Sequence, residues 1–295
     1  MMDKAKKSNG RTSKKYSRIV EGDSNAIKKI PNDKYYTPRS LASYVVAKTN
    51  EIIGRSNITE YLEPSGGAGV FLDFLPEGTY SCDIEPEDDR VMQGNFLELD
   101  LLYKQGRCVI GNPPYGTKGN LFTQFYNKAC ELGDYIAFIL PISQLNNDIK
   151  LYKFDLVYSE NLGRMDYSGI EVHCCLNIYR RPSGGGYNKR KDYKLEDVKI
   201  IELCINKNGR GKAYDGFEYD IGICAWGASV CVQVEYENQY AKEFYFIIHN
   251  EELKDKIIQA IKDADWCKEY PMTATPNLLH WQVGKYLRKV VKGIK

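Results

Sequence analysis

The chain has no run of ~18 consecutive apolar residues, which excludes a helix able to cross a bilayer. It has no Cys-x-x-Cys pair and no Cys/His cluster at zinc-ligand spacing, so no metal site is expected. Its nine cysteines are odd in number and scattered, which reads as reduced thiols rather than a disulfide framework. The opening segment MMDKAKKSNGRTSKKYSRIV lacks the apolar block of a signal peptide. A cytoplasmic protein with no membrane partner is the expectation. There is no strong charge of either sign: 41 Lys and Arg stand against 39 Asp and Glu, for a net +2. Any polyanion partner must then be held by a local cleft rather than by bulk charge. Internal repeats are absent as well.

What is present is ordinary globular composition, 43% hydrophobic and 27% charged. A length of 295 residues suits two domains or one large one. Tyrosine is frequent, at 23, which suits a surface that meets flat ligands of mixed polarity. Residues 1–18 carry seven Lys/Arg against Asp3, so residues 1–30 read as a disordered basic tail. From residue 31 the pattern predicts a helix over 38–53, with Thr37 as N-cap and Pro38 at the first helical position. Strands are expected at 61–64, 79–85, 107–114, 134–141 and 173–181, with a helix over 120–132. Alternation of this kind predicts a parallel α/β sheet with helices on both faces and ligands at the carboxyl ends of its strands. Pro182-Ser183-Gly184-Gly185-Gly186 breaks the pattern. Beyond it, strand-like runs at 199–205, 221–228, 229–237 and 243–249 and helix-like runs at 251–264 and 278–293 predict a smaller mixed α/β module over 183–295.

Polar and glycine-rich motifs fall where those strands should end. Asn112-Pro113-Pro114-Tyr115 follows the apolar run RCVIG. Consecutive prolines fix φ and offer carbonyls with no N–H of their own. An Asn side-chain oxygen beside a Pro carbonyl makes a rigid pair of acceptors, matched to the two N–H donors of an exocyclic amine. The next aromatic offers a face for a planar base. Glu63-Pro64-Ser65-Gly66-Gly67-Ala68-Gly69 is neither a G-x-G-x-x-G fingerprint nor a Walker loop. Its three glycines allow close backbone approach, and its acidic residue suits a ligand carrying positive charge. Asp83, in Cys82-Asp83-Ile84-Glu85, stands where a carboxylate binds ribose hydroxyls. Asn95 and Phe96 could meet an adenine amine and ring. Each piece also has a plainer reading: a Pro-Pro turn, a Gly-rich turn, an acidic surface turn, a loop, core aromatics.

In this order the pieces resemble the S-adenosylmethionine-dependent amino-methyltransferases of DNA. The nearest group is the N6-adenine enzymes of the gamma motif order, and the resemblance spans roughly residues 33–182. It implies a Rossmann-like methyltransferase sheet over 31–182 and a C-terminal target-recognition module over 183–295. It also implies S-adenosylmethionine as cofactor, double-stranded DNA as partner and, in a restriction–modification pair, a cognate restriction endonuclease. Residue by residue, Tyr36, Thr37 and Pro38 match the N-terminal cofactor motif. Glu63, Ser65, Gly67 and Gly69 would line the methionine part, and Asp83 would bind ribose, with Glu85 the alternative. Asn95, where the family usually has Asp, and Phe96 would meet the adenine ring of the cofactor. Asn112 and Pro113 would hold the target amine, stiffened by Pro114. Tyr115 and Tyr167 would sandwich a base flipped out of the duplex.

Alternatives stay open within methyl transfer: an RNA base, a protein glutamine amide or the N4 amine of cytosine. A different class is an inactive nucleic-acid-binding protein with a vestigial fold, against which the intact NPPY and glycine loop argue. The second module carries 18 basic and 16 acidic residues. Its best DNA-contact candidates are Lys207, Arg210 and Lys212 in a Gly-rich loop.

Overall fold

A computed structural model describes residues 36–116, 120–167, 170–205, 211–212, 214–270 and 276–295. The basic N-terminal segment, Lys207 and Arg210 lie outside the described residues, and Lys212 is described in its backbone alone.

The first layer is built on the most apolar strands. In chain order come α1 (Arg39–Ile53), β1 (Glu60–Glu63), β2 (Tyr80–Asp83), β3 (Met92–Gln93), β4 (Arg107–Gly111), α2 (Asn120–Leu132), β5 (Tyr135–Pro141), β6 (Asp155–Tyr167) and β7 (Ile170–Arg180). They form one seven-stranded sheet in the order β3-β2-β1-β4-β5-β7-β6. The first five are parallel, whereas β7 runs antiparallel to both β5 and β6. Alternate side chains explain why both faces are covered. Cys108, Ile110, Ala137 and Ile139 point toward Leu41, Val45, Val46 and Ile53 of α1. Val109, Ile136, Phe138 and Leu140 point the other way, onto Phe122, Phe125, Tyr126 and Ala129 of α2. The α/β expectation is met.

The second layer consists of β8 (Val198–Ile205), β9 (Gly211–Lys212), β10 (Ile221–Cys224) and β11 (Lys242–Ile248), in the order β10-β11-β8-β9 and wholly antiparallel. Three helices, α3 (Lys254–Asp263), α4 (Trp266–Glu269) and α5 (His280–Val290), bury one face of it around Phe244, Phe246, Ile257, Trp266 and Leu287. Its other face holds Leu203 and Tyr245 beneath Tyr214, Phe217 and Tyr219.

The short β3, β9 and α4 lie outside the sequence reading, β7 runs antiparallel in a sheet expected to be parallel, and two longer stretches differ as well. Residues 229–237 do not form a strand. Cys231 and Asn238 take positive φ, at 84° and 61°, and break the extended run. The alternating valines are used differently: Val230 packs on the helix side of the sheet and Val234 on the far side. Conversely, the sequence reading missed β6, thirteen residues long. Register shifts at Leu156/Tyr158 and Asn161/Gly163 break its period-two pattern, as bulges on an edge strand do.

The two layers are joined by a carboxylate clamp. Asp148, which follows β5, accepts from Lys285 Nζ at 2.8 Å, Lys191 Nζ at 2.7 Å and the Tyr193 hydroxyl at 2.8 Å. Burial alone would raise its pKa, and the hydrogen bonds from Lys191 and Lys285 outweigh burial and hold it below its ordinary value. Beside the clamp, Gly284 of α5 lets the Tyr193 backbone lie directly on the helix: a Cβ there would stand 1.9 Å from the Tyr193 carbonyl oxygen. Gly284→Ala should therefore lower the melting temperature, costing ~1–3 kcal/mol by overpacking despite the better helix propensity of alanine. A variant that melts higher than the parent would show that the helix and the 190s segment are not in contact.

Candidate functional site

In a doubly wound sheet, ligands collect where the strand order reverses, outside the carboxyl ends of the strands. Here the reversal falls between β1 and β4. The segment leaving β1 is Pro64-Ser65-Gly66-Gly67, and the segment leaving β4 is Asn112-Pro113-Pro114-Tyr115. Two motifs 45 or more residues apart in sequence therefore emerge side by side. A hydrogen bond from Ser65 Oγ to the Asn112 carbonyl, 3.1 Å, ties them together.

The glycine loop is close-packed from below. Gly66 N donates to the Cys82 carbonyl at 3.0 Å, and a Cβ on Gly66 would stand 2.2 Å from Ser81 Oγ. Gly67 takes φ 47° and donates its N–H to Asp83 Oδ2 at 2.9 Å. The other carboxylate oxygen of Asp83 accepts from Glu85 N at 2.9 Å, so the group is locked at the end of β2 with lone pairs left over. Gly69 takes φ 73°, and a Cβ there would meet the Asp88 carboxylate at 2.6 Å.

Glu63 ends β1 at 1% exposure. Burial pushes its pKa up to about 7, the hydrogen bond from Ser81 Oγ pulls it down, and the nearby Asp83 charge raises it further. A buried carboxylate beside a second one at a ligand crevice is matched to a cation.

Residues 36–38 close the site from the amino-terminal side. The Tyr36 hydroxyl donates to Glu87 at 2.8 Å, reaching the loop after β2. Thr37 does not cap α1; Pro38 occupies the N-cap position, with no side-chain cap. The Thr37 hydroxyl instead accepts from Asn112 Nδ2 at 3.2 Å. That bond turns the amide so that Asn112 Oδ1 faces away from it. Asn112 Oδ1 is closed off from solvent and has no hydrogen-bond partner. An orphaned buried acceptor costs ~1–3 kcal/mol, which a bound donor would recover.

The remaining expected residues are distributed unevenly. Tyr115 is half-buried, its ring edge-on to Phe122 at 6.4 Å and its hydroxyl 3.4 Å from Cys174 Sγ. Asn95 caps a short turn: its oxygen accepts from Leu97 N at 3.1 Å and its amide donates to Glu98 at 2.7 Å. Phe96 lies in the core at 1% exposure, its ring 5.0 Å from that of Phe125. Tyr167 ends β6 opposite Ile170. Because Cys174 of β7 pairs with Pro141 at the end of β5, residues 170–173 of β7 run on past the carboxyl end of β5. The sequence reading missed Ser81, Glu87 and Cys174, none of which carries a motif. It also passed over Ile84, 51% exposed beside Asp83, where an exposed apolar residue in an acidic turn was the available signal. Among the described residues no group of His, Cys, Asp and Glu could hold a metal, and no helix is long and apolar enough to cross a membrane.

Fold and site together define a doubly wound α/β protein whose crevice offers fixed acceptors, a buried carboxyl at Glu63 and a half-buried one at Asp83. Comparison with solved structures finds partial likenesses to methyltransferases. The 23S rRNA methyltransferase ErmE aligns over 53% of this chain and 72% of its own, at 12% identity and a TM-score of 0.39. The magnesium protoporphyrin IX methyltransferase ChlM from Synechocystis PCC 6803 aligns over 59% of this chain and 100% of its own, at 10% identity and a TM-score of 0.34. PH1948 from Pyrococcus horikoshii aligns over 51% and 87%, at 15% identity and a TM-score of 0.40. No protein-family model and no curated protein matches the sequence. Likeness at this level fixes neither cofactor nor substrate, which rest on the chemistry of the site.

The Glu63 environment has a measurable consequence. Its folded pKa, about 7, lies above the ordinary carboxylate value, so the folded state holds a proton that the unfolded state has released. That contribution favours folding at pH below about 4.5 and is lost as pH rises through about 7. Glu63→Gln should melt higher than the parent at alkaline pH, with the difference vanishing in acid. Equal pH dependence of the two melting temperatures would mean that Glu63 is not protonated at neutrality.

Proposed function

We propose that this chain is an S-adenosylmethionine-dependent methyltransferase that modifies an exocyclic amine, with the N6 amine of adenine in DNA as its target. The observation that carries the reading is the orphaned Asn112 Oδ1, held by Thr37 beside a glycine loop and two carboxylates.

The residues present fit the cofactor. Gly66 has no room for a Cβ against Ser81 and Val91, and Gly67 holds φ 47°, so the loop keeps its backbone close to the strand ends. Glu63 would face the positively charged methionine end, and Asp83 has acceptor capacity for ribose hydroxyls. Exposed Ile84 offers an apolar contact for the adenine ring. Asn95 would contribute through its position in the turn, since its amide is engaged by Leu97 and Glu98. When bound, the cofactor supplies an electrophilic methyl on a sulfonium.

The chain's own part is to make a poor nucleophile competent. An amine conjugated to a base ring shares its lone pair with the ring. Asn112 Oδ1 and the Pro113 carbonyl accept its two N–H groups and favour a pyramidal nitrogen, freeing that pair. The same two acceptors stabilise the positive charge that builds on nitrogen as the C–N bond forms. The extra proton then leaves to solvent, so no strong base is required. Tyr115 and the hairpin bearing Tyr167 would receive the extruded base, offsetting the few kcal/mol that extrusion costs by ~1–3 kcal/mol per stacked contact. The second module serves as the target-recognition part, and a cognate endonuclease would share its DNA sequence.

The test is transfer of labelled methyl from S-adenosylmethionine to DNA, RNA and glutamine-bearing peptide in parallel, followed by nucleoside analysis. N6-methyladenine from DNA is expected; label confined to RNA or peptide would overturn the DNA assignment. Asn112→Ala should slow transfer ~100- to 1000-fold while leaving cofactor affinity nearly unchanged. Retained activity would remove the amine-holding role. Thr37→Val keeps the shape and deletes the hydroxyl, so kcat should fall about tenfold with little change in cofactor binding. An unchanged kcat would mean that Asn112 needs no orientation by Thr37.

A further inference from the structure

Six of the nine cysteines are buried, and Cys204 and Cys267 are exposed. The ninth, Cys231, is half-buried on the loop that follows β10, and its surroundings are not those of an inert core thiol. Its sulfur lies against the backbone N–H of Trp266 and within hydrogen-bonding reach of the Cys267 thiol, both in the first turn of α4. The fold thus brings together two thiols 36 positions apart in sequence, one of them open to solvent.

The backbone at Cys231 is strained to place its sulfur there. Its φ is 84°, and the other non-glycine residues with positive φ among those described, Asn146 and Asn238, are of a type that tolerates this region. Two backbone hydrogen bonds hold the turn, from Cys231 N to the Cys224 carbonyl at 3.1 Å and from Cys224 N to the Val232 carbonyl at 2.8 Å. A glycine would adopt the same conformation without strain; what the cysteine adds is a sulfur at α4. Behind the pair, Trp266 is fully buried in the core that also takes Val230, so the loop and the helix are both anchored. Burial pushes the Cys231 thiol up to about 12, so it is protonated at neutral pH and does not start an exchange. The exposed Cys267 meets a reagent first.

We infer that Cys231 and Cys267 form a reversible disulfide that staples the 225–234 loop to α4, made by exchange with a low-molecular-weight disulfide and broken by a thiol. The Cys267 thiolate attacks one sulfur of the reagent RSSR, whose S–S bond breaks, and the leaving thiolate takes up the proton that Cys267 released. Cys231 then attacks the Cys267 sulfur of the mixed disulfide, and the second RS group leaves with the Cys231 proton. Two protein thiols are oxidised to one disulfide, and RSSR is reduced to two RSH. The second step is intramolecular, which offsets the low acidity of Cys231. No step involves the glycine loop or Asn112, so the inference holds whatever the chain methylates. The staple reaches both supports of α5. Leu278 N donates to the Ala225 carbonyl at 2.9 Å, and Tyr270, directly after α4, donates its hydroxyl to the Gln282 carbonyl at 3.0 Å. Oxidation therefore stiffens the seat of the helix that carries Lys285 to the Asp148 clamp.

The experiment treats the full, folded chain with oxidised glutathione, blocks the remaining thiols with iodoacetamide and maps peptides without reduction. A Cys231–Cys267 cross-link is expected, with a mass loss of about 2 Da that dithiothreitol reverses. Cys231→Ser should stop at a glutathione adduct on Cys267. Cys267→Ser should leave Cys231 unmodified, and it alters an exposed side chain, so it folds even where the first variant does not. Amide hydrogen exchange over residues 225–234 should slow at least about tenfold on oxidation. A parent chain that keeps the glutathione adduct on Cys267, or links Cys267 to Cys204 or to a second copy, would overturn the inference, as would modification of Cys231 in Cys267→Ser. Unchanged exchange in the cross-linked chain would remove the stapling role.

Discussion

Parallel pairing of β1 with β2 on one side and β4 on the other is the constraint on which the rest of the molecule depends. It makes three chain segments leave the sheet at one edge and in one direction. Everything with chemical interest in the first layer is then a short loop on a rigid strand end. Glu63 and Asp83 end strands held in backbone ladders, and Asn112 directly follows one. The Ser65–Asn112 hydrogen bond and the Gly67–Asp83 hydrogen bond tie those loops to one another. A site held this way is preorganised, which is the form in which fixed dipoles contribute most to a reaction.

The electrostatics of the crevice have one sign. The Asp83 charge adds to the cost of ionising buried Glu63, and the cations nearby are committed elsewhere: Arg90 to Asp73 and Asp88, and Arg39 to Asp73. Asn112 adds an uncommitted acceptor oxygen to this acidic setting. The crevice is therefore left unfavourable without a ligand, with a buried acid whose ionisation is penalised and a buried carbonyl without a partner. Ligands with positive charge and with N–H donors relieve both.

Joining the layers through Asp148 has a structural logic. Two lysines and a tyrosine from the second part of the chain converge on one carboxylate of the first. A fully paired buried ion specifies geometry more than it adds stability. Within the second part, the close approach at Gly284, where only a bare Cα admits the Tyr193 carbonyl, places the segment that carries Tyr193 to the clamp.

Much of this was legible in the order of residues. The alternation RCVIG and YIAFILP, apolar on both faces, announced buried parallel strands, and the glycine loop and NPPY were visible as strand-end motifs because Gly and Pro restrict φ wherever they stand. Asp83 was placed by its distance from the loop. Less regular pieces were not legible. β6 was hidden because bulges scramble its period, and residues 229–237 imitated a strand because their valines are spaced by two, although Val230 and Val234, which a strand would put on one face, lie on opposite sides of the sheet. The role of Thr37 could not be read at all. Locally it is a good N-cap, and only the folded chain, which brings it 75 residues across to Asn112, offers its hydroxyl a different partner. Nor could sequence say that Asn112 Oδ1 would be left without a partner or that Phe96 would be sunk in the core, since burial is a property of what packs around an atom. The sequence by itself determined which groups could do chemistry and which apolar runs would form the buried parallel strands. Tertiary structure decided which of those groups meet, because contacts between distant residues depend on strand order and packing, and no local pattern encodes either.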